Sequence, residues 1–232
     1  MKIILITLTA LILMSSCQSN TDKDVKTMPT INRSQELTFI RAAEEGDLAA
    51  VQQGIEQGIA IDAQDNRGRT AMLAATHGDY PDVVKVLLDA GANMHLQDDL
   101  QDNPFLYAGA EGLHAILKLL IQAGPDLSIV NRYGGNALIP AAEKGHVDNV
   151  RLLLEETDID VNHVNRLGWT ALLEAIILSR SGSAQEQIIQ LLLDHDADVT
   201  LADNKGVTPL QHAKSMRLTK VVQMLRDAGA AQ

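Results

Sequence analysis

Apolar positions along this chain fall into two alternating stripes. The shorter stripe follows a small or capping residue and closes on alanine. Examples are Met72, Leu73 and Ala75 after Thr70, Phe105, Leu106 and Ala108 after Asn103, and Leu138, Ile139 and Ala141 after Asn136. Leu172, Leu173 and Ala175 after Thr170, then Leu210 and Ala213 after Thr208, repeat it, and Phe39, Ile40 and Ala42 after Leu37 form a degenerate first copy. Thr or Asn in front caps a helix, Pro104 and Pro209 suit a first turn, and alanine lets a neighbouring helix approach closely. The longer stripe, such as Val83, Val84, Leu87 and Leu88 or Ile116, Leu117, Leu120 and Ile121, keeps i, i+3, i+4 spacing and predicts a second helix. Gly91, Gly124 or Gly229 ends it in a left-handed cap, and loops carrying Asn93, Asp126, Asp160 or Asp198 lead onward.

The openings are separated by 33, 33, 33, 34 and 38 residues. A period of that size means one two-helix unit copied about six times, each unit too small to bury its apolar side unless a neighbour stacks on it. The copies divide at about 35–64, 65–97, 98–130, 131–164, 165–202 and 203–232. The fifth holds extra residues in the Ser- and Gly-rich stretch 178–187, read either as a partner-contacting loop or as a tolerated insertion.

These residues resemble the ankyrin repeat, whose pattern joins an Asp-x-x-Gly turn to Thr-Pro-Leu-His-x-Ala and two antiparallel helices. The sixth copy carries Asp203, Gly206, Thr208, Pro209, Leu210 and Ala213, and the second carries Asp65, Gly68, Thr70 and Ala75. The motif histidine is replaced by Leu73, Leu106, Ile139, Leu173 or Gln211. Pro140 stands four residues after Asn136, where its missing amide would reach only the cap carbonyl, so a local distortion is expected rather than a broken helix. The resemblance implies an all-α solenoid of about six repeats with short hairpin turns between them. It also implies that turn tips and first-helix ends line a concave face that grips proteins. In that register the partner-binding residues are Arg67, Arg69, Asp99, Asp102, Glu111, Arg132, Tyr133, Lys144, Arg166, Leu167, Trp169 and Lys205, with Tyr133 and Trp169 as aromatic anchors. The alternative for Trp169 is that it packs onto its own hairpin.

The N-terminus reads as a separate device. Lys2 precedes an apolar run of 12 residues, Ile3 to Met14, too short to span a bilayer core of roughly 30 Å, so residues 1–16 are expected to be a signal peptide. Met14, Ser15, Ser16 and Cys17, the only cysteine, resemble a bacterial lipobox, which implies acylation of Cys17 and anchorage in a membrane. Gln18, not Asp, then implies the outer membrane facing the periplasm if the host is Gram-negative. Residues 17–34 read as a flexible tether, and 35–232 as the repeat domain.

Charge and composition narrow the function. Net charge is −11, and loss of residues 1–16 removes only Lys2, leaving −12. Nucleic acid and anionic lipid surfaces are poor partners for such a chain. The seven histidines share no helix face, the turn at Asp98, Asp99 and Asp102 lacks the glycine of a calcium loop, and no nucleophile elbow or phosphate-cradling loop occurs. No cofactor is implied and no enzyme is expected. The expected function is protein binding by a monomer tethered to the bacterial cell envelope. The alternatives are an immunity or toxin-neutralising partner, and an envelope protein that binds a small molecule or metal.

Overall fold

The computed structural model describes residues 32–178 and 182–231; the expectations for the signal peptide, Cys17 and most of the tether fall outside them. Twelve helices occur among these residues, two per repeat, and they alternate in role. The first helices are α1 (Arg33–Glu44), α3 (Ala71–His77), α5 (Pro104–Glu111), α7 (Leu138–Lys144), α9 (Ala171–Ile177) and α11 (Pro209–Ser215). The second helices are α2 (Leu48–Glu56), α4 (Pro81–Asp89), α6 (His114–Gln122), α8 (Val147–Glu156), α10 (Ser183–Asp194) and α12 (Thr219–Asp227). Each first helix packs on the first helix of the next repeat and each second helix on the next second helix, giving two layers that run in sequence order. Among the described residues the only β pairing is one isolated bridge, Gln64 with Thr70.

The opening residues act as the sequence predicts. The side chains of Thr70, Asn103, Thr170 and Thr208 accept from the amides of Leu73, Leu106, Leu173 and Gln211 at 2.8–3.3 Å. These bonds satisfy amides that the first helical turn leaves unpaired. The closing alanines, Ala75, Ala108, Ala141, Ala175 and Ala213, are fully buried where the first helices meet. In the fourth repeat Pro140 offers no amide to the Asn136 carbonyl. Asn136 Oδ1 instead accepts from both Leu138 and Ile139, at 3.2 and 3.3 Å, and the helix starts at Leu138 with Ala137 in front of it.

Two boundaries differ from the sequence reading. The first helix begins at Arg33, inside the segment read as tether, because Asn32 and Gln35 form a reciprocal capping box there. The stretch 178–187 is not all loop: α10 begins at Ser183, runs 12 residues against nine in α4 and α6, and is pinned by buried Gln185, whose Nε2 donates to the Ala175 carbonyl at 2.7 Å. Much of the insertion is therefore an added helical turn, and 179–181 lie outside the described residues.

Candidate functional site

Each turn between repeats is built by the same device. The side chain of Asp65, Asp98, Asn131, Asn165 or Asp203 accepts from the amides two and four residues on, all at 2.8–3.0 Å. Glycine at a positive φ closes four of these turns, Gly68, Gly134, Gly168 and Gly206, and Gln101 takes the same conformation in the turn that Asp98 opens. Adjacent tips are stitched together: the Asp99 amide donates to the Arg67 carbonyl at 3.0 Å and the Arg166 amide to the Tyr133 carbonyl at 2.9 Å. The tips thus form a fixed row beside the first helices.

This geometry sorts the sequence-predicted residues by position. The residue two after the turn's opening points to solvent in all five turns: Arg67, Leu100, Tyr133, Leu167 and Lys205 are exposed. The residue four after it turns inward. Arg69 is only 5% exposed, with Nη1 on Glu44 Oε1 at 2.7 Å and Nε on Asp65 Oδ2 at 2.9 Å, so it is a clamp between the first two repeats and not a free tip. The bond to Arg69 is the main cause that lowers the Glu44 carboxyl below its ordinary range. Asp102 and Trp169 share that inward position and are half-buried. The Trp169 amide and carbonyl both bond Asn165 at 3.0 Å, holding its backbone on its own hairpin. Of the two expected aromatic anchors, Tyr133 is thus exposed and Trp169 is not.

Four of the predicted residues form two ion pairs that cross repeats. Lys144 meets Glu111 at 2.6 Å, and Arg132 meets Asp102 at 3.3 Å while its guanidinium lies 4.8 Å from the Tyr133 ring. Burial is the main cause that raises the Asp102 carboxyl, with Arg132 opposing it. Arg166 donates to the Arg132 carbonyl at 2.6 Å, whereas Asp99 and Lys205 are exposed. Exposed pairs of this kind contribute little stability but fix charge positions along the row.

Between the fourth and fifth tips, α7 and α9 lies a groove of about 240 Å³. Tyr133, Leu167 and Leu178, which are 55%, 54% and 46% exposed, line it together with Ile139 and Pro140. Its polar lining includes Glu143 and Glu174. Glu174 is a site residue that the sequence reading missed. It occupies the variable position before the closing alanine, where Ala74, Tyr107, Pro140 and His212 stand in other repeats, and the signal was a charged side chain between Leu173 and Ala175. It is 4% exposed; Oε1 accepts from Asn165 Nδ2 at 3.0 Å, and Oε2 has no hydrogen-bond partner. Burial, reinforced by Glu143 and opposed by Asn165, pushes its carboxyl up to about 7. No group of three His, Cys, Asp or Glu that could hold a metal occurs among the described residues.

The family model described as ankyrin repeats (3 copies) matches in overlapping stretches, 39–131, 71–165, 105–200 and 159–232. The putative ankyrin repeat protein YahD of Escherichia coli is 42% identical over 193 residues, covering 83% of this chain and 96% of that protein. The crystal structure of an ankyrin repeat domain from Acinetobacter baumannii AYE superposes with a TM-score of 0.82 at 45% identity, covering 84% of this chain and all of that one. A chain from the complex of the predatory endopeptidase Bd0816 of Bdellovibrio bacteriovorus with immunity protein Bd3460 gives a TM-score of 0.70 at 26% identity, covering 82% and 96% of the two chains.

Proposed function

For a chain that belongs to the ankyrin-repeat family, a protein–protein interaction module, we propose that the face built by turn tips and first helices binds a protein of the bacterial cell envelope. The observation that carries this is the cluster of exposed Tyr133, Leu167 and Leu178 around one groove, beside a row of charged tips. Apolar and aromatic side chains held out in water by fixed turns cost solvation in the free protein and repay it when a partner covers them. The work is recognition without catalysis, by a monomer. Cys17 carries lipid in this reading and holds the domain at a membrane, the outer membrane facing the periplasm in a Gram-negative host. The lipobox-like residues Met14 to Cys17 support it.

Capture from envelope extract by the full chain, compared with a Tyr133→Ala/Leu167→Ala variant of unchanged thermal stability, tests the binding face. Loss of the captured protein in the variant is the expected result; equal capture removes these residues from the site. Cys17→Ser should abolish incorporation of labelled fatty acid and release the protein from the membrane fraction. A protein that stays membrane-bound without the thiol sinks the anchor.

A second reading, an immunity or toxin-neutralising partner, draws support from the likeness to a chain of the Bd0816–Bd3460 complex. It is distinguished by what is captured: a hydrolase whose activity falls on binding favours it over a scaffold.

A further inference from the structure

The groove between the fourth and fifth repeats has chemistry more specific than an apolar patch. Its volume, about 240 Å³, lies below the roughly 300 Å³ at which pockets for drug-sized ligands begin, and suits a single long side chain. The groove is lined by Tyr133, Ile139, Leu167 and Leu178 together with two carboxyl groups, Glu143 and Glu174. Glu174 Oε2 is buried with no donor, and Glu143 forms no ion pair among the described residues. The cations nearby are engaged elsewhere: Lys144 with Glu111, Arg132 with Asp102, and Arg166 with the Arg132 carbonyl.

A buried carboxyl oxygen without a donor is costly, and a second acid beside it adds to the cost. Both penalties are relieved by a donor that carries positive charge. Arginine and lysine combine that head with an aliphatic stem, which matches apolar and acidic linings within one groove. The net charge of −11 draws a cationic partner in the same direction. Resting on the protein-binding reading above, we infer that this groove takes an arginine or lysine side chain projecting from the partner. Its stem lies against Tyr133, Leu167 and Leu178, and its head lies at Glu174 and Glu143.

The test titrates the full chain with Nα-acetylarginine amide, Nα-acetyllysine amide and the uncharged Nα-acetylnorleucine amide, followed by amide shifts in NMR. The cationic compounds should move the amides of Tyr133, Gly135, Leu167 and Leu178 and bind about tenfold tighter than the norleucine compound, as a charged hydrogen bond requires. Glu174→Gln and Glu143→Gln should each remove most of that advantage; Glu143 is only half-buried, so its variant serves even if the other folds poorly. Equal binding of the norleucine compound, shifts confined elsewhere, or full cation preference in the Glu143→Gln variant overturns the inference. If the cations bind nowhere while Tyr133 and Leu167 still govern capture from extract, the side-chain assignment fails and the protein-binding face stands. If they bind at the groove but no protein is captured through those residues, the failure lies in the protein-binding reading.

Discussion

Asn165 Nδ2 donates to Glu174 Oε1 at 3.0 Å, nine residues along the same repeat, and the sixth repeat sets Asp203 and His212 in the same two places at 2.9 Å. The residue that opens the turn thus reaches the variable position of the following helix. In the sixth repeat an acid meets a base, whereas in the fifth an amide meets an acid and leaves one carboxyl oxygen without a donor.

That orphaned oxygen gives stability a pH dependence of known sign. The folded-state value for Glu174, about 7, lies above the ordinary carboxyl value near 4.3, so the folded protein holds this proton more tightly than the unfolded chain. The stabilisation is complete below about pH 4 and declines as pH rises to about 7. It is lost above that, a change on the order of 3 kcal/mol. Urea unfolding from pH 5 to 8.5 should show Glu174→Gln with a flatter profile than the parent and a relative gain at pH 8. Parallel profiles for the two proteins would show that Glu174 does not titrate abnormally.

Arg69 and Arg67 stand two residues apart yet should behave oppositely. Arg69→Ala takes from part-buried Asp65 its nearer cation, leaving only Arg67 at 3.9 Å, and cuts the 2.7 Å bridge to Glu44 of the first repeat, at a cost of about 2 kcal/mol, moderated because Glu44 is partly solvated. Arg67→Ala removes exposed contacts at 3.6 and 3.9 Å and should change stability by less than about 0.5 kcal/mol. Urea denaturation of both variants decides it; equal effects would mean that the buried clamp adds nothing.

The contrast between those arginines marks how far the sequence could be read. The period, the capping Thr and Asn, the fully buried alanines and the all-α class were legible because each follows from local spacing. Which tip side chains face outward was not legible from spacing. The turn's opening side chain binds two amides, and the fold, not the spacing, decides that the first of those residues faces solvent while the second faces the helices. Arg69, Asp102 and Trp169 were therefore grouped with Arg67 and Tyr133. Glu174 escaped for a related reason: a variable position shows no pattern, and its burial depends on the neighbouring α7 and on Asn165. The capping box at Asn32 lay in a polar run without a stripe, which hid the start of α1.

Pro140 offers a test of how a helix start tolerates a missing amide. In the other repeats the equivalent amide, for example that of Ala74 or Glu174, donates to the capping residue's carbonyl at 2.9 and 3.0 Å. Pro140→Ala restores that donor, worth about 1 kcal/mol, but frees the unfolded chain by a similar amount. The net change in unfolding free energy should stay within about 1 kcal/mol, and a gain of 3 kcal/mol would show that proline strains α7 after all.

Asn165 and Glu174 can be set against each other by one substitution. Asp occupies the turn-opening position in the second, third and sixth repeats, as Asp65, Asp98 and Asp203, so Asn165→Asp should be harmless by repeat logic alone. The Asp would keep both turn bonds, to the Leu167 and Trp169 amides, because each uses Oδ1. It would, however, replace the amide donor facing Glu174 with a second carboxylate in a buried setting. Two acids at that separation cannot both ionise cheaply, so one must hold a proton or the helix must shift. At pH 8 the single variant should lose about 2 kcal/mol, with the loss shrinking toward pH 5 as a shared proton becomes available. Adding Glu174→Gln returns a donor to the new Asp, and the double variant should recover most of the loss. A coupling of more than about 1 kcal/mol in the cycle is the expected signature. Additive effects would mean that the contact at 3.0 Å carries no energy, and that the fifth repeat uses Asn for the turn alone.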